Sequence, residues 1–261
     1  MNTGLFAVAP RDEGVVSVRI STEEDPYIGP SWVNGLSDVL GRLAEQLSIR
    51  AVVLEGGQPY FSAGASRSAL VETSGPGILP DYAARAVQAV LDVPVPIIAA
   101  AAGHAIGGGL VLAILCDAVV LGEESLYAAN FMGLGFTPGM GATTLVPEAF
   151  GEFLGRELLY SGRMLTGREI RHACCPLSHA VRPRADVMDR ACRVAQDFAE
   201  APRDSLVQLK RILTARRRDS LERALQAERA AHALLLANPA MRDEIARRYP
   251  QAVIRGAAGE A

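Results

Sequence analysis

Apolar and polar residues alternate over residues 14–20 (GVVSVRI), which predicts a strand with one buried face. Residues 21–26 (STEEDP) carry turn chemistry and break that pattern. Over residues 31–48 the apolar positions Val33, Leu36, Val39, Leu40, Leu43 and Leu47 recur at the spacing of a helix with one buried stripe. Residues 51–54 predict another strand, and after a turn comes Phe61-Ser62-Ala63-Gly64-Ala65-Ser66. Residues 67–83 are rich in Gly and Pro and predict a loop of the kind that covers active sites. Residues 83–91 return to helical spacing. They lead into residues 93–104 (VPVPIIAAAAGH), an apolar run with proline only at its entry, which suits a buried strand.

The run Gly107-Gly108-Gly109 comes next, followed by residues 110–117 (LVLAILCD), apolar on every face and so suited to a buried helix. The glycines therefore sit between a strand and a helix N-terminus. Glycine lets the backbone approach a ligand closely. The first turn of a helix leaves N–H groups without acceptors and carries partial positive charge. These are the ingredients of an oxyanion hole. The loop at Ala65 also follows a strand, about one strand–helix unit earlier. N–H groups near Ala65 and Gly108 are thus able to converge on one carbonyl oxygen. Taken singly, each glycine run fits plain turn geometry; it is the pair that points to chemistry.

Beyond this point residues 118–121 and 125–128 predict short strands, residues 133–141 a glycine-rich loop and residues 142–150 a helix. Helical spacing then dominates: residues 155–161, 166–172 (with Thr166 as N-cap), 185–199, 202–213, 220–237 and 239–248, before a frayed tail over 252–261.

FSAGA, AGHAIGGGLVLAILCD and LGFTPGMGAT occur in the order and spacing of the crotonase (enoyl-CoA hydratase/isomerase) superfamily, which the chain resembles over nearly its whole length. The resemblance implies an α/β fold, with a spiral core of β-β-α units over residues 1–200 and a C-terminal helical region over residues 201–261 that forms a homotrimer or a dimer of trimers. It assigns the two oxyanion donors to Ala65 and Gly108. The stretch ANFMGLGFTPGMGAT is similar to the decarboxylating enoyl-hydratase-like enzymes of polyketide β-branching, which act on acyl groups borne by an acyl carrier protein. The activity implied is decarboxylation of a 3-methylglutaconyl-type thioester through a dienolate. Dehydration of the preceding 3-hydroxy-3-carboxymethyl-acyl thioester and a non-catalytic binding subunit are the alternatives. No metal or cofactor is called for beyond the phosphopantetheine thioester supplied by the carrier protein or coenzyme A.

Typical hydratases of the superfamily hold water with two glutamates. The aligned positions here are Val111 and Phe131, both apolar. An apolar pocket favours decarboxylation instead, because desolvation destabilises a carboxylate. For the proton donor the resemblance points to His232, whose place matches the histidine-bearing helix of the decarboxylating group. A solvent-facing helix position paired with Glu228 fits the same spacing. The lysine that related decarboxylases carry before the central strand has no counterpart. Asp81, Tyr82 and Arg85 are the polar residues there, and Tyr82 and Arg85 are the candidates for holding the substrate carboxylate. Tyr127 and Asn130 are expected to line the pocket, and Phe131, Met132 and Phe136 to shape it. His104 and Asp117 read as structural groups.

A net charge of -3 gives no reason to expect nucleic acid. The apolar stretch over residues 88–121 is too interrupted by Pro, Gly and charged residues for a membrane span. The four cysteines have neither zinc-like spacing nor a signal segment before them, which suggests reduced thiols in the cytoplasm. Lys210 is the single lysine. Arg211, Arg216, Arg217 and Arg218 form a basic cluster, read either as a docking site for an acidic carrier or as a solvated helix face.

Overall fold

The computed structural model describes residues 4–22, 25–71 and 78–257, side chains 71, 78–80 and 250–257 excepted. The chain runs through β1 (Phe6–Pro10), β2 (Val15–Ile20), β3 (Tyr27–Ile28), α1 (Pro30–Ala44), β4 (Ala51–Glu55), β5 (Tyr60–Ser62), β6 (Gly64–Ala65), α2 (Arg67–Val71) and α3 (Ile78–Asp92). Then come β7 (Ile97–Ala101), β8 (His104–Ile106), α4 (Gly108–Leu115), β9 (Ala118–Gly122), β10 (Leu126–Ala128) and α5 (Phe131–Leu134). The remainder is α6 (Ala142–Phe150), α7 (Glu152–Ser161), β11 (Met164–Thr166), α8 (Gly167–His172), β12 (Val181–Arg182), α9 (Val187–Ala199), α10 (Arg203–Leu236) and α11 (Pro239–Ala257).

Strand, strand, helix recurs along this order: β4, β5 and the α2–α3 segment, then β7, β8 and α4, then β9, β10 and α5. The first strand of each unit enters a six-stranded sheet of order β1-β2-β4-β7-β9-β12, and the second enters a four-stranded sheet of order β11-β10-β8-β5. Among the described residues only the β1–β2 and β10–β11 pairs are antiparallel. The large sheet is covered on both faces, as parallel strands require. Side chains alternate across it. Val52, Leu54, Ile97, Ala99 and Ala101 join the main core with α1, α3 and α4, while Ala51, Val53, Ile98 and Ala100 pack against Val187, Ala191, Ala195 and Ala199 of α9.

Several expectations are corrected. β1 is an additional edge strand, with a burial pattern that fades toward Pro10 and so gives no clean alternation. The helices expected over 202–213 and 220–237 are one 34-residue helix, α10, with Pro202 and Ala237 as its caps. The intervening residues 214–219 lack apolar spacing but hold no Pro or Gly, and arginine is a good helix former. α11 continues to Ala257, past the start of the expected tail. Of the loop expected over residues 67–83, α2 and the start of α3 are helical, and 72–77 lie outside the described residues. Thr166 does cap α8, in a reciprocal capping box with Glu169. Among the described residues no helix is long and apolar enough to cross a membrane.

Candidate active site

The two glycine loops meet. Gly64 has φ +78° and Gly107 φ +56°, both in the region that favours glycine. A Cβ added to Gly64 would lie 2.6 Å from the Ile106 carbonyl and 3.1 Å from the Gly108 nitrogen. Gly107 donates its N–H to the Ala128 carbonyl (2.7 Å), whereas Gly108 opens α4, where no intrahelical acceptor exists for its N–H. The β3–β6 ladder pairs Ile28 with Ala65. Ala65 and Gly108 both border one cavity of about 1160 Å³, its open mouth included.

The cavity wall is largely apolar. Among the described residues its only polar side chains are those of Tyr60, Tyr82, His104, Asn130, His232 and Tyr249; no carboxylate, lysine or arginine reaches it. Phe131 is on the wall, and Val111 is fully buried in the core. Phe136 packs edge-on to Phe131 at 5.9 Å and lies 5.8 Å from the His232 ring. Asn130 Oδ1 sits 3.2 Å from where a Cβ on Gly107 would be.

His232 is not on a solvent-facing surface: it is 4% exposed and borders the cavity. Its Nε2 lies 2.7 Å from the Thr137 carbonyl oxygen, which can only accept, so Nε2 carries a proton. One helical turn earlier Glu228, 5% exposed, accepts from the N–H of Gly141 (2.7 Å) and from the N–H and hydroxyl of Thr143 (3.0 and 2.7 Å). A buried carboxylate thus caps the N-terminus of α6, where the helix end favours negative charge. Glu228 and His232 together grip the 137–143 loop. The same loop presents Gly139 and Met140 to the cavity, and Phe136, just before it, is on the wall too.

His104 is likewise buried on the wall, and its Nδ1 accepts the Leu126 N–H at 2.9 Å. Tyr82 borders the cavity, with the guanidinium of Arg85 5.8 Å from its ring centre. Arg85 itself is exposed and off the wall. Tyr127 is off the wall too. Its hydroxyl donates to the Ala101 carbonyl (2.7 Å) and accepts from the Gly122 N–H (2.6 Å), a structural tie between strands. Met132 points outward at 39% exposure, on the face of α5 opposite Phe131 and Leu134. Asp117 has the structural role expected of it, accepting from the Ile97 N–H (2.7 Å) and from Lys210 (2.8 Å).

The basic cluster is divided. Arg217 donates to the carbonyls of Leu115 and Ile114 at the end of α4, and Arg218 donates to the Leu91 carbonyl and to Asp92 at the end of α3. These are helix C-terminal caps; Arg211 and Arg216 remain exposed. Two residues that sequence reasoning passed over complete the site. Ile28 covers one side of Gly108. Tyr249, on α11, lines the cavity and donates its hydroxyl to the Ala65 carbonyl at 2.9 Å. Burial raises the Tyr249 phenol well above its ordinary range, so it remains a donor.

Residues 12–247 match the enoyl-CoA hydratase/isomerase family. Among curated proteins, the chain is 41% identical over 183 residues to the bacillaene synthase decarboxylase PksI of Bacillus subtilis, covering 70% of this chain and 72% of that one. Among solved structures it is similar to the ECH2 decarboxylase domain of CurF from Lyngbya majuscula, with a TM-score of 0.84, 32% identity, and 93% and 98% of the two chains covered. It is also similar to a structure from a dehydratase/decarboxylase enzyme couple involved in polyketide β-branching, with a TM-score of 0.86, 32% identity, and 92% and 97% covered. On this match, which spans both glycine loops, every strand but β1, and the whole of α10, the chain belongs to the enoyl-CoA hydratase/isomerase family.

Proposed function

We propose that the chain is a lyase that decarboxylates a 3-methylglutaconyl-type, β-branched acyl group held as a thioester on an acyl carrier protein, in polyketide β-alkylation. The observation that carries this reading is the cavity: the two glycine loops meet at its wall, and no carboxylate pair stands among the described wall residues to activate water. The decarboxylases among its relatives support the same chemistry.

The bond between the carboxylate carbon and the γ-carbon breaks, and CO2 leaves. The electron pair spreads along the conjugated chain to the thioester oxygen, where the N–H groups of Ala65 and Gly108 receive the charge. Each such donor is worth ~3 kcal/mol of barrier. An apolar wall raises the free energy of the substrate carboxylate and leaves the neutral CO2 unaffected, which favours loss of that group. The dienolate then takes one proton, at the α- or the γ-carbon. His232 is the donor in this reading. Because its Nε2 proton is committed to Thr137, transfer to the dienolate goes through Nδ1. Tyr82 and Asn130 orient the substrate, and Phe131 and Phe136 exclude water.

The reaction is redox-neutral, and the phosphopantetheine thioester is the only prosthetic group it requires. Leu209, Ile212 and Leu213 on α10 are exposed apolar residues, which supports burial between subunits of a homotrimer or a dimer of trimers. The free cysteines suit the cytoplasm.

The test is intact-protein mass spectrometry of a carrier protein loaded with 3-methylglutaconyl, before and after incubation. Loss of the mass of CO2 is expected. Loss of water alone from the hydroxylated precursor, with no effect on the glutaconyl form, would replace this reading with dehydration. No change in either would leave a binding subunit.

A further inference from the structure

Met140 has a left-handed backbone, φ +62°, the only such non-glycine residue among the described wall residues of the cavity. A bulky side chain is disfavoured there. Neighbouring contacts impose the conformation. On one side the Gly141 N–H and both donors of Thr143 are held by Glu228. On the other, the Thr137 carbonyl is held by His232, whose Cε1 lies 3.1 Å from where a Cβ on Gly139 would be. Between these anchors the Met140 side chain is 7% exposed and aimed at the oxyanion loop. A Cβ on Gly108 would lie 2.9 Å from the Met140 sulfur and 3.5 Å from Ile28 Cδ1. Those two side chains therefore cover the open face of Gly108.

We propose that Met140 is a specificity-determining residue that admits only acyl groups without a substituent on the carbon next to the thioester carbonyl. The inference rests on the reading of Gly108 as an oxyanion donor. A carbonyl oxygen bonded to its N–H lies about 2.9 Å from the nitrogen. The α-carbon is two bonds further on, so an α-methyl group and the Met140 thioether compete for the same space. A branch at the β-carbon is one bond more distant and escapes the contact. The class selected is an α-unsubstituted, β-branched acyl thioester.

The test uses three unreactive saturated pantetheine thioesters, butyryl, 2-methylbutyryl (each enantiomer) and 3-methylbutyryl, with binding measured by calorimetry. Wild-type protein is expected to bind butyryl at least about tenfold tighter than either 2-methylbutyryl enantiomer, the discrimination a single misplaced methyl commands. Met140→Ala is expected to bring that ratio close to one by gaining affinity for the 2-methyl compounds, with the butyryl to 3-methylbutyryl ratio unchanged. Met140→Gly removes the side chain and suits the positive φ, so it serves if the alanine variant does not fold. Equal binding of butyryl and 2-methylbutyryl by wild type, or an unchanged ratio in a folded variant, overturns the inference and leaves the proposed reaction standing. Binding of none of the three by wild type overturns the thioester site itself, and this inference with it.

Discussion

Glu228 is the anchor whose removal the structure makes most calculable. Its carboxylate is buried on α10, accepts three hydrogen bonds from Gly141 and Thr143, and caps α6. A hydrogen bond to a charged group contributes about 1.5–3 kcal/mol, and loss of a helix cap costs about 0.5–2 kcal/mol. Truncation also releases the carboxylate's own burial cost and lets water reach the orphaned N–H groups, so the contributions do not add in full. A net loss of about 3 kcal/mol is expected for Glu228→Ala. At roughly 2–4 °C per kcal/mol for a chain of this size, the melting temperature should fall by about 10 °C. Glu228→Gln keeps the shape and one acceptor, and should fall by about half as much. Circular dichroism melts of the three proteins, run at matched concentration, provide the measurement. An alanine variant melting within about 2 °C of wild type would show that the 137–143 loop holds itself and that the cap is incidental.

Four further outcomes follow from the same geometry. His232→Gln retains an N–H donor for the Thr137 carbonyl, so it should fold normally while decarboxylation slows by about a hundredfold or more; carrier-protein mass spectrometry reads the rate, and normal turnover would remove His232 as the acid. Gly64→Ala sets a methyl against the Ile106 carbonyl at a positive φ; turnover of the folded protein should drop by about a hundredfold or more, and wild-type rates would argue against the paired-donor site. Lys210→Met removes the buried ammonium's bonds to Asp117 and to the Val95 carbonyl; because Asp117 itself is exposed, the cost should be about 1.5–3 kcal/mol in a urea titration, whereas an unchanged midpoint would make the pair dispensable. Burial pushes the Cys116 thiol up to about 12, whereas unfolded it titrates near 9.0. A folded-state pKa above the unfolded one stabilises the protein at neutral pH, and that contribution fades as pH climbs from about 9 toward 12. Melts across that range should therefore decline less in Cys116→Ala, and at pH 8 a thiol reagent should label exposed Cys174 and spare Cys116.

The glycine loops were legible because their signal is local: a glycine run after a strand and before a helix is a statement about a few consecutive residues. The short walls between them were harder, and the errors have simple geometric causes. Tyr127 was expected in the pocket because it is near the pocket residues in sequence. Strand alternation puts Leu126 on the wall and turns Tyr127 the other way, to the Ala101 and Gly122 backbone. Met132 fails for the helical equivalent of that reason, since Phe131 and Leu134 share the face that meets the cavity. Arg85 lies along α3 from Tyr82, yet its charged end stays in solvent against the Tyr82 ring. The hold of Glu228 on Gly141 and Thr143, and the place of Tyr249, were invisible for another cause. Their partners are 87 and 184 residues away, and no spacing rule spans such distances. The same holds for Arg217 and Arg218, whose targets are backbone carbonyls that the sequence does not distinguish from any others.

The Tyr249 contact with Ala65 also sets an order in time. On a ribosome adding about 5–20 residues per second, β6 emerges about 10–40 s before the tyrosine that fixes its carbonyl. Until then the nascent chain holds an open trough in place of a walled chamber, with the apolar surfaces of Ile28, Phe131 and Met140 unsealed on that side. The interval is a window for chaperone capture or misassociation, and it closes only when the final helix docks. A protease cut between α10 and α11 would reopen it, so loss of activity should precede loss of the core.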